Sequence, residues 1–122
     1  MAMSDLRALF QRKLLEASAH VYFGTAPSSV EYPCIVWSLQ ELAYEDGLSL
    51  QELEADVMDY GEDTAPAESI ADDLQQRLDH FQTLEETFEV SVYRERRQPL
   101  QENDKLVIRR RLTFQVRLYE RS

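Results

Sequence analysis

The chain has 122 residues, enough for one domain with one hydrophobic core and too few for two. Its 43% hydrophobic and 10% aromatic residues are typical of a soluble globular protein, and its single cysteine, Cys34, excludes an intrachain disulfide and fits a reducing cytoplasm. The formal net charge of −10 argues against general binding to nucleic acid, and the sequence predicts neither a membrane span nor a secretory signal, so we expect one domain over residues 1–122.

The first element predicted from the sequence is an amphipathic helix. Ser4 is a suitable residue to cap its start, and the pattern ends near Ser18. Its apolar stripe consists of Leu6, Leu9, Phe10, Leu14 and Ala17. The following segment, residues 21–29, contains Gly24 and Pro27 and is predicted to be an ordered loop.

Two strands and a hairpin turn are predicted next. The run from Cys34 to Leu39 is apolar at nearly every position, which is typical of a strand covered on both faces. Asp46-Gly47 is a hairpin signal, and a second strand follows from about Leu50 to Tyr60. Met58 and Tyr60 are out of phase with that strand's alternation, which predicts a twist or bulge there. The alternation places Leu53, Ala55 and Val57 on one face and Glu52, Glu54 and Asp56 on the other.

A second helix and a third strand follow. Asp63 or Thr64 caps the helix, and Pro66 lies in its first turn, where a missing N–H does no harm. The apolar stripe of this helix consists of Ala67, Ile70, Ala71, Leu74, Leu78 and Phe81. Alternation over residues 88–93 predicts a third strand, and residues 98–104 form a polar hairpin loop.

The last strand shows the longest alternation in the chain, from Lys105 to Tyr119. Fifteen residues extend roughly 50 Å, whereas a compact domain of this length has a diameter near 35 Å. We therefore expect the strand to extend beyond its own domain and to offer an edge that another chain covers. Arg110 interrupts the apolar row, which predicts a bulge or a carboxylate partner at that position.

The predicted element order is α-β-β-α-β-β, with no internal repeat. The simplest architecture for this order is an α+β fold. In it, a twisted antiparallel four-stranded sheet carries both helices on one face and ends in a long C-terminal hairpin.

The charges are unevenly distributed along the chain. Residues 1–88 carry 4 basic and 18 acidic side chains, a net of −14, whereas residues 89–122 carry 9 and 5, a net of +4. The basic hairpin either lies beside acidic residues of its own chain or meets the acidic surface of a neighbouring copy. Like charges that face each other across a hairpin require neutralisation, and the net charge favours carboxylates over phosphate. The candidate subunit-interface residues are Arg94, Arg96, Arg97, Arg109, Arg111, Arg117, Glu52, Glu54 and Asp56.

The sequence contains no pattern typical of a catalytic or metal site. His20 and His80 are far apart and lack the ligand spacing of a zinc site, and three glycines leave no phosphate-binding loop. No serine has a histidine at a recognisable motif spacing. We therefore expect a protein that is not an enzyme, with no catalytic residues, no metal and no cofactor.

Several segments together resemble a family of tail-completion proteins, also called tail-to-head joining or tail terminator proteins, of long-tailed bacteriophages. Residues 21–27 and 32–39 are similar to the family's opening pattern V-Y-x-G-x-A-P … Y-P-x-I-V-x-S-L. The acidic strand that ends at residues 56–60 and the arginine-rich closing hairpin also match in outline, so the resemblance spans nearly the whole chain. Cys34 and Met58 depart from it, because the family more often has an aromatic residue at each position.

The resemblance implies a structural role in phage or prophage morphogenesis. Such proteins cap the head-proximal end of the tail tube as a hexameric ring and join the tail to the head connector. The expected partners are therefore other copies of the chain, the tail-tube protein and the head connector protein, with no membrane. The expected location is the virion tail, after synthesis in the bacterial cytoplasm.

The charge of the sequence fits a ring through which DNA passes. Six copies at −10 carry about −60, which would let DNA through without specific binding. In dilute solution the chain can remain a monomer, because the ring can require the tube end as a template.

Two alternatives remain open at this stage. One is a different ring component of a phage, such as a head–tail adaptor or a tail-tube subunit. The other is a cytoplasmic small-molecule-binding domain, which an enclosed dry pocket would favour.

Overall fold

A computed structural model describes residues 2–120 as two helices and six strands in a single sheet. The helices are α1 (Ala2–Leu15) and α2 (Ala65–Leu78). The strands are β1 (Val21–Phe23), β2 (Cys34–Glu45), β3 (Leu48–Tyr60), β4 (Gln82–Leu84), β5 (Phe88–Leu100) and β6 (Val107–Glu120). Their order across the sheet is β1-β2-β3-β6-β5-β4.

The predicted fold class, an α+β fold with a four-stranded antiparallel sheet, is wrong. The sheet has six strands among the described residues, is curled and mixed, and makes the fold mostly β. The two additional strands are β1, which pairs parallel to β2, and β4, which pairs antiparallel to β5. Each has only three residues, too few to produce an alternation that a sequence pattern can show. For the same reason residues 21–23 were expected to be a loop.

Both helices pack their apolar stripes against one face of the sheet. The buried residues of α1 are Leu6, Leu9, Phe10 and Leu14, and those of α2 are Ala67, Ala71, Leu74 and Leu78, which confirms most of both predicted stripes. Phe81 packs against this core from beyond the end of α2. Ser4 lies inside α1 and does not cap it, whereas the Asp63 carboxylate accepts a hydrogen bond from the Ala65 N–H at the start of α2 (3.0 Å).

Trp37 joins three elements of the core. It belongs to β2, is 1% exposed, and donates a hydrogen bond from its indole N–H to Oε1 of Gln11 on α1 (2.8 Å). Its ring meets Phe10 of α1 and Phe23 of β1 edge-on, with centroid distances of 6.3 and 4.7 Å. This side chain therefore fixes α1 and β1 against the sheet.

The strand β6 lies in the middle of the sheet and not at an edge. It pairs with β3 from Leu48 opposite Tyr119 to Tyr60 opposite Val107, and with β5 on its other side. The prediction that this strand extends beyond its domain with an open edge is therefore wrong. Its length is matched by two neighbouring strands of 13 residues each, which the diameter estimate did not anticipate.

Two local irregularities also lie elsewhere than predicted. The pairing of β3 with β6 continues through Met58 without a shift, so no bulge occurs there. Register shifts occur instead in β2 between Glu41 and Ala43 and in β5 between Arg94 and Arg96. The last hairpin loop lies at residues 101–106 and not at 98–104, because β5 continues to Leu100 and β6 begins only at Val107.

Two other local predictions are confirmed. Asp46 and Gly47 both have positive φ, 50° and 85°, as a two-residue hairpin turn between β2 and β3 requires. Arg110 lies on the face of the sheet that carries the helices, and its Nε donates a hydrogen bond to Oε1 of Glu68 on α2 (2.6 Å). Glu68 is therefore the carboxylate partner that was predicted for a charged residue in an apolar row.

Cys34, the only cysteine, is fully buried at the start of β2. Burial, with a smaller effect of nearby Asp59, raises the pKa of the Cys34 thiol to about 11. At pH 8 only about one thiol in a thousand is then ionised, and the thiolate is the reactive form. We expect Ellman's reagent to label the folded protein at least about a hundredfold more slowly than the chain unfolded in guanidinium chloride. Equal labelling rates in the two states would contradict this placement of Cys34.

Candidate assembly surface

The sheet face that carries no helix presents two parallel rows of opposite charge. On β3 the row consists of Glu52, Glu54 and Asp56, and on β6 it consists of Arg109, Arg111 and Arg117. Asp56 lies directly opposite Arg111 in the β3–β6 pairing. Because paired residues of antiparallel strands share a face and side chains alternate along a strand, the two rows lie side by side.

Asp56 is the centre of a network of ion pairs on this face. It is 4% exposed and accepts hydrogen bonds from both Arg109 and Arg111, with Nε to carboxylate distances of 2.9 and 2.8 Å. Glu102 pairs with Arg109 at 2.6 Å, and Glu54 pairs with Arg111 at 3.2 Å. Four charged partners therefore neutralise one another around one buried carboxylate.

The arginines of this network are held in their charged form. Burial acts to lower the pKa of Arg109, but hydrogen bonds to Glu102 and Asp56 outweigh it, so the pKa lies above its ordinary value. For Arg111 the hydrogen bond to Asp56 is the main cause of a raised pKa, and burial opposes it only in part. Both guanidinium groups therefore remain positively charged at any pH at which the protein is folded.

A second set of ion pairs joins β5 and β6 to α2. Arg97 on β5 contacts Asp72 at 2.6 Å and Glu68 at 3.5 Å, and Glu68 also receives Arg110. These two acidic residues were not among the partners predicted from the sequence. They could have been predicted, because Glu68 and Asp72 are four residues apart and so lie on one face of α2, and a carboxylate was already expected beside Arg110.

The remaining candidate residues have few partners within the chain. Within residues 2–120, the side chains of Arg94, Arg117 and Glu52 take part in no ion pair, and Arg96 contacts only its neighbour Glu95, at 3.6 Å. Ion pairs within one chain therefore neutralise only some of the basic residues in the last hairpin and only some of the acidic residues on β3. That the nine candidate residues contact another copy stays a prediction.

Across the part of the chain that the structure describes, residues 2–120, two strand edges of the sheet are open. β1 covers β2 only as far as Trp37, which leaves the backbone of residues 38–45 without a neighbouring strand on that side. β4 covers β5 only at residues 89–91, which leaves residues 95–100 without one. The two segments lie on opposite edges and at opposite ends of the sheet, because Cys34 of β2 shares a row with Leu100 of β5. Open edges of this length normally require cover.

The segment of β2 at its open edge also exposes apolar side chains. Leu42 is 55% exposed and Tyr44 is 57% exposed, both close to the turn that leads into β3. Exposed apolar groups beside unpaired backbone are typical of a contact surface. This end of the sheet is therefore the strongest candidate for a contact with another chain.

The first segment of the family resemblance borders a groove. Residues 21–27 lie across from α1, and the guanidinium of Arg7 stacks 3.8 Å above the Phe23 ring. The groove is open to solvent and not an enclosed cavity. Within residues 2–120, no three His, Cys, Asp or Glu side chains converge in a way that could hold a metal ion. None of the helices described is long and apolar enough to cross a membrane.

Comparison with known proteins gives a likeness of fold. No family model matches the sequence, and no curated protein matches it. Among solved structures, the chain is similar to a chain from the "Virion of native gene transfer agent (GTA) particle", with a TM-score of 0.68 and 14% sequence identity. The match covers 87% of this chain and 84% of that chain. The chain therefore shares the fold of a protein solved within a virion, over nearly the full length of both.

Proposed function

We propose that this protein is a non-catalytic structural component of a bacteriophage, a prophage or a related particle. The observation that carries the proposal is the shared fold with a chain of a gene transfer agent virion. The match extends over most of both chains, so the two proteins share a whole domain and not one common motif. The open sheet edges and the exposed apolar end of β2 suit a protein that functions by contact with other chains.

Within such a particle we propose the tail-completion role, in which a ring of copies closes the head-proximal end of the tail tube and joins it to the head connector. The family resemblance supports this role, and its two opening segments are neighbours in the fold. Val21 pairs with Ile35 and Phe23 pairs with Trp37, which makes the segments a single structural unit. The net charge of −10 per copy suits a ring through which DNA passes without being bound.

Deletion of the gene in the phage or prophage that encodes the protein tests this role. We expect electron micrographs of the lysate to show tails that are both overlong and separate from heads, because nothing ends tube growth or joins the two parts. Resupply of the unaltered gene should restore complete particles. Complete particles in the deletion lysate would contradict the proposal. A lysate without tails would indicate a tail-tube subunit, and one with filled heads and normal but separate tails would indicate a head–tail adaptor.

A further inference from the structure

The open edge of β2 presents its backbone groups at defined positions. The Ile35 N–H and the Trp37 carbonyl both point outward, toward β1, where they bond to His20 and Gly24 at 2.9 and 2.8 Å. Backbone direction alternates along a strand, so Leu39 and Glu41 also point outward. Within residues 2–120, the outward backbone N–H and carbonyl groups of Leu39 and Glu41 have no hydrogen-bond partner.

The register shift in β2 adds one residue before the next outward position. Glu45 and Leu48 face each other across the two-residue turn and therefore form its hydrogen-bonded closing pair. Tyr44, the residue before this pair, then points its backbone outward. The outward positions of β2 beyond the end of β1 are therefore Leu39, Glu41 and Tyr44, with gaps of two and three residues.

The open edge of β5 has the same spacing in the opposite direction. The Val92 N–H and carbonyl point outward and bond to Phe81 and His80, both at 2.8 Å. The Arg94 N–H also points outward, to the Asp79 carboxylate at 2.8 Å. After the register shift, the next outward positions are Arg97 and Pro99. Read backward from Pro99, the gaps are again two and three residues.

We propose that β2 of one copy pairs antiparallel with β5 of a neighbouring copy, with Leu39 opposite Pro99, Glu41 opposite Arg97 and Tyr44 opposite Arg94. This inference rests on the proposed assembly of copies into a ring and specifies the contact between them. In the strand order β2-β3-β6-β5 each strand is antiparallel to its neighbour, so β2 and β5 run in opposite directions. When the sheet of one copy continues into the sheet of the next copy, β5 of the first and β2 of the second are therefore antiparallel. The two register shifts then face each other.

The charges of the two edges are complementary. Residues 38–45 contain two acidic side chains and no basic one, a net of −2, whereas residues 94–100 contain three arginines and one glutamate, a net of +2. In the proposed register Glu41 lies between Arg94 and Arg97 on the helix-bearing face. Arg94, which has no ion pair among the described residues of its own chain, gains a carboxylate neighbour. Pro99 lacks an N–H, but its carbonyl is still able to accept from Leu39.

The offset between copies is suitable for a closed sheet. In one chain Glu41 shares a row with Val92, through Gln51 and Val116. In the proposed contact Glu41 lies opposite Arg97 of the neighbouring copy, and Arg97 shares a row with Leu112 of β6. Leu112 and Val116 are four residues apart, so one copy is displaced relative to the next by about 13 Å along the strands. Four long strands span about 19 Å, so the strands would tilt by about 35°, which is close to the tilt of closed barrels. A head-to-tail contact of this kind can close into a ring.

A pair of cysteines tests the register. In the proposed register Gln40 of one copy lies opposite Gln98 of its neighbour, and both side chains are on the same face of the sheet. The two residues form a non-hydrogen-bonded pair, whose Cα atoms are about 4.5 Å apart. A disulfide can bridge this distance. Within one chain two strands separate them, so any bond joins two copies. We expect Gln40→Cys with Gln98→Cys, in a Cys34→Ala background, to form a ladder of linked species when oxidised at up to about 1 mM. Covalent capture accumulates even a small associated population.

The matched control moves one cysteine by two residues. Gln40→Cys with Leu100→Cys keeps the face and the edge but separates the pair by about 7 Å or more, so we expect about tenfold less linked product. Circular dichroism checks that both variants are folded. Equal linking in the two variants, or none in either, would overturn the edge pairing. If the edge pairing is overturned but the unaltered protein still forms rings or is found in particles, the proposed function stands without this contact. If the protein neither associates nor occurs in particles, both proposals fail.

Discussion

Replacement of Asp56 with alanine is expected to destabilise the fold by about 3 kcal/mol. The carboxylate is 4% exposed and is the shared acceptor of two arginines, so its loss removes one carboxylate partner from each guanidinium group. Their side chains are 28% and 27% exposed, so water reaches them in part, and the effect belongs at the low end of the range for a broken buried pair. For a chain of this length the melting temperature should fall by about 10 °C.

The control for Asp56 lies on the same strand and the same face. Glu52 has no ion pair among the described residues, so Glu52→Ala should change the free energy of unfolding by less than about 0.5 kcal/mol. Urea unfolding followed by circular dichroism measures both variants. If Asp56→Ala cost no more than Glu52→Ala, the charge network would be a weak surface feature and would not be part of the folded core.

Replacement of Trp37 with alanine is expected to cost about 3–5 kcal/mol of folding free energy. The side chain is 1% exposed, contacts Phe10 and Phe23, and supplies the hydrogen bond to Gln11. Trp37→Phe retains an aromatic ring but leaves the Gln11 amide oxygen without its donor, so about 1–3 kcal/mol should be lost. Because this is the only tryptophan, circular dichroism and not fluorescence must report the unfolding.

Tyr44 is the matched control for Trp37. It is also an aromatic residue of β2, but it is 57% exposed at the open edge. Tyr44→Ala should therefore leave the free energy of unfolding of the isolated chain within about 0.5 kcal/mol of the unaltered value. A small effect of Trp37→Ala, similar to that of Tyr44→Ala, would contradict the role of Trp37 in joining α1 and β1 to the sheet.

The sequence predicted the elements whose patterns are long. The apolar stripes of both helices, the turn at Asp46-Gly47 and the alternation of β6 all correspond to structure because each extends over several residues or requires a special backbone conformation. The three-residue strands β1 and β4 exist because a longer neighbour offers them a place to pair. Their own sequences contain no period, so a single sequence could not reveal them.

The candidate surface was predicted only in part. The acidic row of β3 and the arginines of β6 were placed on strands correctly, but tertiary packing decides which charges neutralise each other. Glu68 and Asp72 approach Arg97 because α2 packs against β3, β5 and β6, and this tertiary contact cannot be predicted from local sequence spacing. Substitutions at Arg109 and Arg111 therefore probe the stability of the fold, whereas substitutions at the open edges of β2 and β5 probe assembly.

The proposed tail-completion role requires this protein to be part of a particle and to lie where the tail meets the head. The most direct measurement is electron microscopy of purified particles that carry an epitope tag on this chain, labelled with gold-conjugated antibody, together with a count of copies per particle by quantitative mass spectrometry. We expect label at the head–tail joint and about six copies per particle. Purified particles that lack the protein, or label found only at the distal tip or along the whole tail, would contradict it.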